Sequence, residues 1–175
     1  NFTNKIIMSF RKEKKIKLLK SEKELIKIQL CNSGMEKLYP TRYTSSCYFD
    51  SKDLICFNES EEGILPRRKI RIRWYNKKPN FFKEEKITSI EGRFKTSKSF
   101  NKNSLIDILN LEINSKYYGF LKPSLIVNYT REFYKYKGLR ITFDTNINYL
   151  NPRGITKNKT IDQECVMEIK TSNNI

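Results

Sequence analysis

The sequence predicts an α+β fold, with short helices flanking an antiparallel sheet that we expect to close into a β-barrel. Strand-like alternation dominates from about residue 66 onward, only three short helices are indicated, and strands and helices do not alternate regularly. At 175 residues, of which 38% are hydrophobic, the chain is long enough for one domain with its own core. Closure of the barrel is a hypothesis at this point.

The first part of the chain predicts two strands and two short helices. A strand over residues 8–18 precedes a helix that begins at Ser21, because Ser21 and Glu24 have the spacing of a capping box. A strand over 43–50 then precedes a second helix over 52–62.

The remainder predicts six strands and one helix, which begins near Ser104. The strands lie at about 66–75, 81–88, 90–100, 124–136, 139–149 and 162–171.

The composition restricts the partners and the chemistry. A formal net charge of +16 favours polyanions: nucleic acid, an anionic membrane surface or a phosphate-rich small molecule. The chain has no histidine, which excludes His-based acid–base and nucleophile systems. A metal would need oxygen ligands, which suit Mg²⁺ or Mn²⁺. Four scattered cysteines without a CxxC pair indicate reduced thiols and a cytoplasmic protein.

Charges alternate with apolar residues in the strand after residue 66. Positions 67, 69, 71 and 73 are all cationic, whereas positions 70, 72 and 74 are Ile, Ile and Trp. Successive strand side chains point to opposite faces, so one face packs and the other carries four positive charges. A solvated face of an ordinary sheet is the alternative interpretation.

The same alternation recurs in other strands, and it selects arginine in a chain rich in lysine. Arginine binds phosphate with two parallel hydrogen bonds, and carboxylates near cations suit a divalent ion that bridges phosphate oxygens. The charged sets are Arg11, Glu13 and Lys15; Glu84 and Lys86; Arg131 beside Tyr129; Arg140, Thr142 and Asp144; and Glu168 with Lys170.

These motifs, in this order, resemble the VTC domain, the polyphosphate polymerase domain of the vacuolar transporter chaperone family. They include Tyr48-Phe49-Asp50 and Arg67–Tyr75. This domain is a triphosphate tunnel metalloenzyme of the CYTH-like superfamily. The resemblance implies a β-tunnel that binds ATP and inorganic polyphosphate, uses Mn²⁺ (or Mg²⁺), and transfers the γ-phosphoryl group to the growing chain.

The resemblance also implies roles for thirteen residues. The predicted catalytic cations are Lys15, Arg71, Arg73, Lys86, Arg131 and Arg140. The predicted substrate-binding cations are Arg11, Lys69, Lys95 and Lys170. The predicted metal ligands are Glu168, Glu13 and Glu84.

Three alternatives remain open beside the polymerase. A tripolyphosphatase or nucleoside triphosphatase could use the same tunnel, although such enzymes usually begin with Glu-x-Glu-x-Lys and this chain has Arg11 at the first position. A non-catalytic module could bind polyphosphate or inositol phosphates. A nucleic-acid-binding protein would fit the charge, but the chain has no recognition helix, zinc finger or RNP-type motif, so we expect no nucleic acid.

The resemblance has consequences for the domain boundary and the location. We expect one domain over residues 1–175, shortened at its carboxyl end, because family members continue into a helix beyond the position of Lys170. No apolar run is long enough to cross a membrane. We expect a cytoplasmic protein, including the cytosolic face of a membrane, where membrane-protein partners could meet it.

Structural roles are expected for several residues near these motifs. Trp74, Tyr48 and Phe49 are expected to pack in the core. Asp50 is as suited to capping the following helix as to a site. Asp144 is expected to pair with Arg140 or to bind a metal.

Overall fold

The computed structural model describes residues 7–8, 13–101, 104–154 and 159–171, with only the backbone described for residues 7–8. Three short helices accompany a sheet of eleven strands in this part of the chain. The strands are β1 (Ile7–Met8), β2 (Glu13–Leu18), β3 (Glu36–Asp50), β4 (Arg67–Tyr75), β5 (Phe81–Ser89), β6 (Gly92–Phe100), β7 (Ile113–Ser115), β8 (Gly119–Tyr136), β9 (Leu139–Leu150), β10 (Lys159–Ile161) and β11 (Cys165–Thr171). The helices are α1 (Lys20–Asn32), α2 (Ile55–Glu61) and α3 (Leu105–Leu109).

The main sheet is an open path of nine strands in the order β1-β6-β5-β4-β3-β8-β9-β11-β2, with β10 on β9 and β7 on β8. The pairs β4–β5, β5–β6, β9–β11 and β2–β11 are antiparallel. A mostly antiparallel sheet with few helices is therefore confirmed. Among the described residues no pairing joins the two end strands, β1 and β2, so barrel closure is not confirmed.

The helix boundaries differ in part from the predicted ones. Leu19, not Ser21, is the N-cap of α1, and its backbone N–H donates to Glu22 Oε2 at 2.7 Å. The start of α3 was predicted correctly, because Ser104 Oγ accepts from the Asp107 backbone N–H at 3.2 Å. No helix within the described ranges is long and apolar enough to cross a membrane.

Chain contacts divide the molecule into two compact units. The first comprises Asn1–Ser9, Ser45–Val127 and Leu150–Asn158, and the second comprises Phe10–Thr44, Asn128–Tyr149 and Lys159–Ile175. Each has its own apolar core. The first core contains Cys47, Phe49, Cys56, Ile70, Ile72, Trp74, Phe81, Ile108, Ile113, Leu121 and Ile126, and the second contains Leu18, Met35, Tyr134, Ile141, Phe143 and Met167.

The first core confirms the predicted parity of β4. Ile70, Ile72 and Trp74 are buried, and the Trp74 ring meets the Phe81 ring edge-on with centroids 5.6 Å apart. Core packing is therefore the role of Trp74, as the alternation indicated.

Asp50 holds the start of α2. Its Oδ1 accepts from the Cys56 backbone N–H at 2.9 Å, and its Oδ2 accepts from the Phe57 backbone N–H at 3.0 Å. Buried and saturated by main-chain donors, this carboxylate caps the helix. The capping role considered for Asp50 is confirmed.

In the second unit, an ion network fixes α1 to β8. Glu132 Oε1 lies 3.0 Å from Lys23 Nζ, and its Oε2 accepts from Lys27 Nζ and from the Tyr134 hydroxyl, both at 2.6 Å. Burial alone would raise the pKa of Glu132, but the hydrogen bonds from Lys27, Tyr134 and Lys23 lower it to about 2.

All four cysteines lie in the described residues as free thiols. Cys47, Cys56 and Cys165 are buried, and Cys31 at the end of α1 is exposed. Burial raises the pKa of Cys47 and of Cys56 to about 12.

Candidate functional site

Each unit carries one sheet face rich in charged residues. The first-unit face is opposite the apolar side of β4 and continues across β5 and β6. Residues directly opposite each other in the register share this face, so the pairing gives its composition row by row. The rows are Arg73–Phe82–Ser99, Arg71–Glu84–Ser97, Lys69–Lys86–Lys95 and Arg67–Thr88–Arg93.

Glu84 is the centre of the inner part of this face. Its side chain is 4% exposed, and three cations surround it. Arg71 Nη2 and Lys95 Nζ each lie 2.6 Å from a Glu84 oxygen, and Arg73 Nη1 lies 3.8 Å away. Burial alone would raise the pKa of Glu84, but these cations lower it to about 2. Glu84 is therefore ionised at neutral pH.

Two β3 side chains complete this cluster. Arg71 Nη1 donates to the Tyr48 hydroxyl at 2.9 Å, and Arg73 Nε donates to Ser46 Oγ at 2.9 Å. Burial alone would raise the pKa of Tyr48, but the charges of Arg71 and Arg73 lower it. Tyr48 was expected in the core with Phe49. Alternation along β3 could have separated them, because Ser46 and Tyr48 share one parity and Cys47 and Phe49 the other.

The third row places three lysines directly opposite one another. Lys69 of β4 is in register with Lys86 of β5, which is in register with Lys95 of β6. Like charges at directly opposite positions destabilise a sheet. The Glu84 carboxylate offsets part of this repulsion, because it lies 2.6 Å from Lys95 Nζ.

The second-unit face is formed by β2, β11, β9 and β8. Its two central rows are Lys15–Glu168–Thr142 and Glu13–Lys170–Arg140. Glu168 is buried, and Lys170 Nζ lies 3.1 Å from its Oε2, with Arg131 Nη1 and Lys15 Nζ each 3.9 Å from a carboxylate oxygen. Against the effect of burial, a hydrogen bond with Glu13 and the charges of Lys170 and Arg131 lower the pKa of Glu168.

Arg131 also binds Asp144. Its Nε and Nη2 donate to the two Asp144 oxygens at 2.5 and 2.6 Å, a bidentate pair, and its guanidinium carbon lies 5.0 Å from the centre of the Tyr129 ring. The expected partner of Asp144 was Arg140. The structure shows Arg131 instead, because the neighbouring strand β8 brings it to Asp144.

Among the residues that the structure describes, three buried polar atoms of the second-unit face make no hydrogen bond. They are Arg140 Nε, Thr142 Oγ1 and Glu168 Oε2. Buried polar groups are almost always satisfied in folded proteins. Arg140 Nε and Thr142 Oγ1 lie in adjacent rows and could meet the oxygens of a ligand, whereas Glu168 Oε2 already has Lys170 Nζ 3.1 Å away.

The comparisons with known proteins agree with this geometry. The VTC domain family model matches residues 10–175. The chain belongs to the VTC domain family. No curated protein matches the sequence.

Solved structures share the fold of this VTC domain at low identity. One is a protein from Bacillus halodurans proposed to be an adenylate cyclase, with 14% identity, TM-score 0.56, and coverage of 94% of this chain and 83% of that one. The PH1012 protein from Pyrococcus horikoshii has 14% identity, TM-score 0.53, and coverage of 94% and 80%. The Hippeastrum protein HpAC1, proposed to be an adenylyl cyclase and described as having a dominant triphosphatase activity, has 15% identity, TM-score 0.51, and coverage of 92% and 79%.

The residues predicted for the site of this VTC domain fall into two sets. The first-unit face brings together Lys69, Arg71, Arg73, Glu84, Lys86 and Lys95. The second-unit face brings together Glu13, Lys15, Arg131, Arg140, Glu168 and Lys170. Arg11 lies outside the described residues. The chemical roles of all thirteen residues remain predictions. Tyr48, Ser46 and Thr142 also lie on these faces, but they were not among the predicted site residues.

The carboxylates differ in how well they suit a metal ion. No described group of three acidic or cysteine side chains is close enough to hold one. Glu13 and Glu168, however, are neighbours that share one cation, because Lys170 Nζ lies 3.5 Å from Glu13 and 3.1 Å from Glu168. One or two carboxylates with substrate phosphates are the usual ligands of Mg²⁺. This pair could therefore hold a divalent ion with substrate phosphates. Its cations lie at 3.1 to 3.9 Å from Glu168, whereas Arg71 and Lys95 lie only 2.6 Å from the oxygens of Glu84.

Proposed function

We propose that this VTC domain is a polyphosphate polymerase, which transfers the γ-phosphoryl group of ATP to the end of an inorganic polyphosphate chain. We place this activity in the cytoplasm, where ATP is available, with ATP and polyphosphate as the partners. The family supplies the substrate class, and the two charged faces supply the chemistry.

The observation that carries this proposal is the state of the carboxylates. In the described part of the two faces, each of these carboxylates has a cation within 4.0 Å: Glu13, Glu84, Asp144 and Glu168. The cations around Glu84 and Glu168 hold the pKa of these two carboxylates below the ordinary value, which makes both of them poor general bases. The nucleophile must therefore arrive already ionised, as the terminal phosphate of a polyphosphate chain does. An alcohol or an unactivated water molecule is not ionised at neutral pH.

The cations supply what phosphoryl transfer needs. This reaction depends mainly on positioning and on stabilising the charge that develops on the transferred group. Arg71 and Arg73 are fixed by Glu84, Tyr48 and Ser46, so their guanidiniums are oriented before the substrate binds. We propose that they bind phosphate oxygens with Lys86 and Lys95, and that Lys15, Arg131, Arg140 and Lys170 do the same on the second-unit face.

A divalent ion has a proposed place in this scheme. We assign Mn²⁺ or Mg²⁺ to Glu168 and Glu13. When bound, the ion would neutralise charge on the phosphate groups of the substrate. Lys170 Nζ, which lies 3.1 Å from Glu168 and 3.5 Å from Glu13, holds the two carboxylates together in its absence.

The test is to incubate the purified protein with ATP and Mn²⁺ and to resolve long-chain polyphosphate, ADP and free phosphate. We expect polyphosphate with a matching amount of ADP. The Arg71→Ala/Arg73→Ala double variant should lose at least a hundredfold in rate, because two charge-assisted contacts of about 1.5–3 kcal/mol each disappear. Lys83→Gln on the opposite face of β5 is the matched control.

Triphosphate hydrolysis is the second candidate, favoured by the shared fold with a protein described as having a dominant triphosphatase activity. Free phosphate without polymer would move the protein to that class. Tight polyphosphate binding without turnover would indicate a binding module instead. Displacement of polyphosphate by RNA at equal phosphate concentration would contradict a phosphate-chain ligand altogether.

A further inference from the structure

Aromatic side chains alternate with cations along β8 on the second-unit face. Successive side chains of a strand point to opposite faces, so one face of β8 carries Tyr129, Arg131, Phe133 and Lys135. Exposure increases along this series: Tyr129 is buried, the Arg131 side chain is 19% exposed, and the Lys135 side chain is 59% exposed. Phe133 therefore lies between the ion network around Arg131 and the open end of the face.

Phe133 belongs to a small aromatic group of its own. The Tyr39 ring of β3 meets the Phe133 ring edge-on with centroids 5.8 Å apart, and the Arg42 guanidinium carbon lies 5.6 Å from the Phe133 centroid. In the part of the chain that the structure describes, neither ring belongs to the apolar core of the second unit. Tyr39 is 50% exposed. Core packing therefore does not account for these two rings beside a network of charges.

A nucleoside triphosphate combines the two chemistries that meet here. Its phosphates suit the cations around Arg131, and its base is a flat aromatic group that stacks on aromatic rings and on arginine. Arg131 and Phe133 are two residues apart on one strand, so their rows are separated by about 7 Å. The ribose, which joins base to phosphates, spans such a step. Inorganic polyphosphate has no group that could stack on a ring.

We propose that Tyr39, Phe133 and Arg42 form a stacking platform for the base of the donor nucleotide. The platform deepens the proposed function and rests on it, because the nucleotide's phosphates must lie at the cations of the second-unit face for the base to reach Phe133. Stacking uses the flat face that all bases share, so the platform selects a nucleotide over a base-free phosphate and discriminates weakly among bases. It gives the donor a contact that the growing chain lacks.

The test compares a ligand with a base and a ligand without one, by calorimetry in the presence of Mg²⁺. The probes are the β,γ-imido analogue of ATP, which is not cleaved at that bond, and tripolyphosphate. The variant is Tyr39→Leu/Phe133→Leu, for which we expect about a tenfold loss of affinity for the ATP analogue and less than twofold for tripolyphosphate. The control is Tyr117→Leu/Phe120→Leu, which removes one exposed tyrosine and one exposed phenylalanine from the first unit and should bind both probes like the unchanged protein.

Four results would overturn the platform: no binding of the ATP analogue by the unchanged protein, unaltered binding of it by the variant, equal losses for both probes, or equal losses in variant and control. If the double variant does not fold, Tyr39→Ala, at a half-exposed position, repeats the test with an expected loss of about fivefold for the ATP analogue alone. Failure of the polymerase is separable, because these measurements need no turnover. A loss confined to the ATP analogue, in a protein that forms no polymer, would keep the platform and remove the polymerase.

Discussion

Arg71 binds one oxygen of Glu84 with two of its nitrogens: Nε lies 2.8 Å and Nη2 lies 2.6 Å from Oε2. The other oxygen, Oε1, accepts from Lys95 Nζ at 2.6 Å. Glu84 therefore orients Arg71 and Lys95, and Arg73 Nη1 lies 3.8 Å from it. This geometry supports a positioning role for Glu84, beside the metal-binding role that the resemblance implied.

The first prediction concerns acid stability. The folded pKa of Glu84, about 2, is below the ordinary value of 4.5, so its ion pairs stabilise the fold fully above pH 4.5 and less as the pH falls towards 2. Glu84→Gln should lower the free energy of unfolding by about 3 kcal/mol at pH 7. The difference from the unchanged protein should shrink between pH 4.5 and pH 3 in urea titrations. A constant difference would contradict the assignment, and Glu91→Gln at the β5–β6 turn is the control.

The second prediction concerns Thr142, whose buried hydroxyl makes no hydrogen bond to any residue that the structure describes. Thr142→Val keeps the shape and removes an unsatisfied polar group, so the variant should be as stable as the unchanged protein or more stable by up to about 1 kcal/mol. If a phosphate or a metal-bound ligand contacts this hydroxyl, tripolyphosphate affinity should fall about threefold to tenfold. Thr145→Val, on the opposite face of β9, should leave affinity unchanged. Unaltered binding by the Thr142 variant would remove the residue from the site.

The third prediction separates structure from function. Glu132 holds Lys23 and Lys27 of α1, so Glu132→Gln leaves the part-buried Lys27 without its carboxylate and leaves Lys23 with Glu24 alone. We expect a loss of about 3 kcal/mol in the free energy of unfolding. Turnover per folded molecule should not change, because Glu132 is on the opposite face of β8 from Arg131. A specific loss of activity in the folded fraction would show that α1 acts in the reaction.

The fourth prediction concerns the metal. Glu168→Gln should weaken Mn²⁺ binding in the presence of tripolyphosphate about tenfold or more, measured as free Mn²⁺ by electron paramagnetic resonance. Glu164→Gln, whose carboxylate pairs with Lys17 at 3.0 Å, is the matched control on the same segment. Equal Mn²⁺ binding by both variants would argue against Glu168 as a ligand.

Alternation was the part of the sequence that predicted structure best. It correctly separated Ile70, Ile72 and Trp74 from Arg71 and Arg73, because a strand's two faces follow from residue parity alone. The start of α3 at Ser104 was also predictable, since its capping hydrogen bonds are local.

Contacts between side chains of different strands were harder to predict from the sequence. Alternation predicts which face of a strand a side chain lies on, but not which residues of the neighbouring strands it contacts. It therefore could not show that Asp144 pairs with Arg131 and not with Arg140. The helix α1 begins before Ser21 because Glu22 reaches the backbone of Leu19, and leucine is not an expected cap. The unsatisfied hydroxyl of Thr142 is a property of its surroundings, which sequence spacing does not contain.

The arrangement of the thiols gives the protein a selective attachment point. Thiolates react with maleimides, and Cys47 and Cys56, with pKa values of about 12, are almost entirely protonated at neutral pH, while Cys165 is buried. Cys31 is exposed at the end of α1. A fluorophore or spin label should therefore couple at this one position of the unaltered sequence, which provides a reporter for ligand titrations without cysteine replacement.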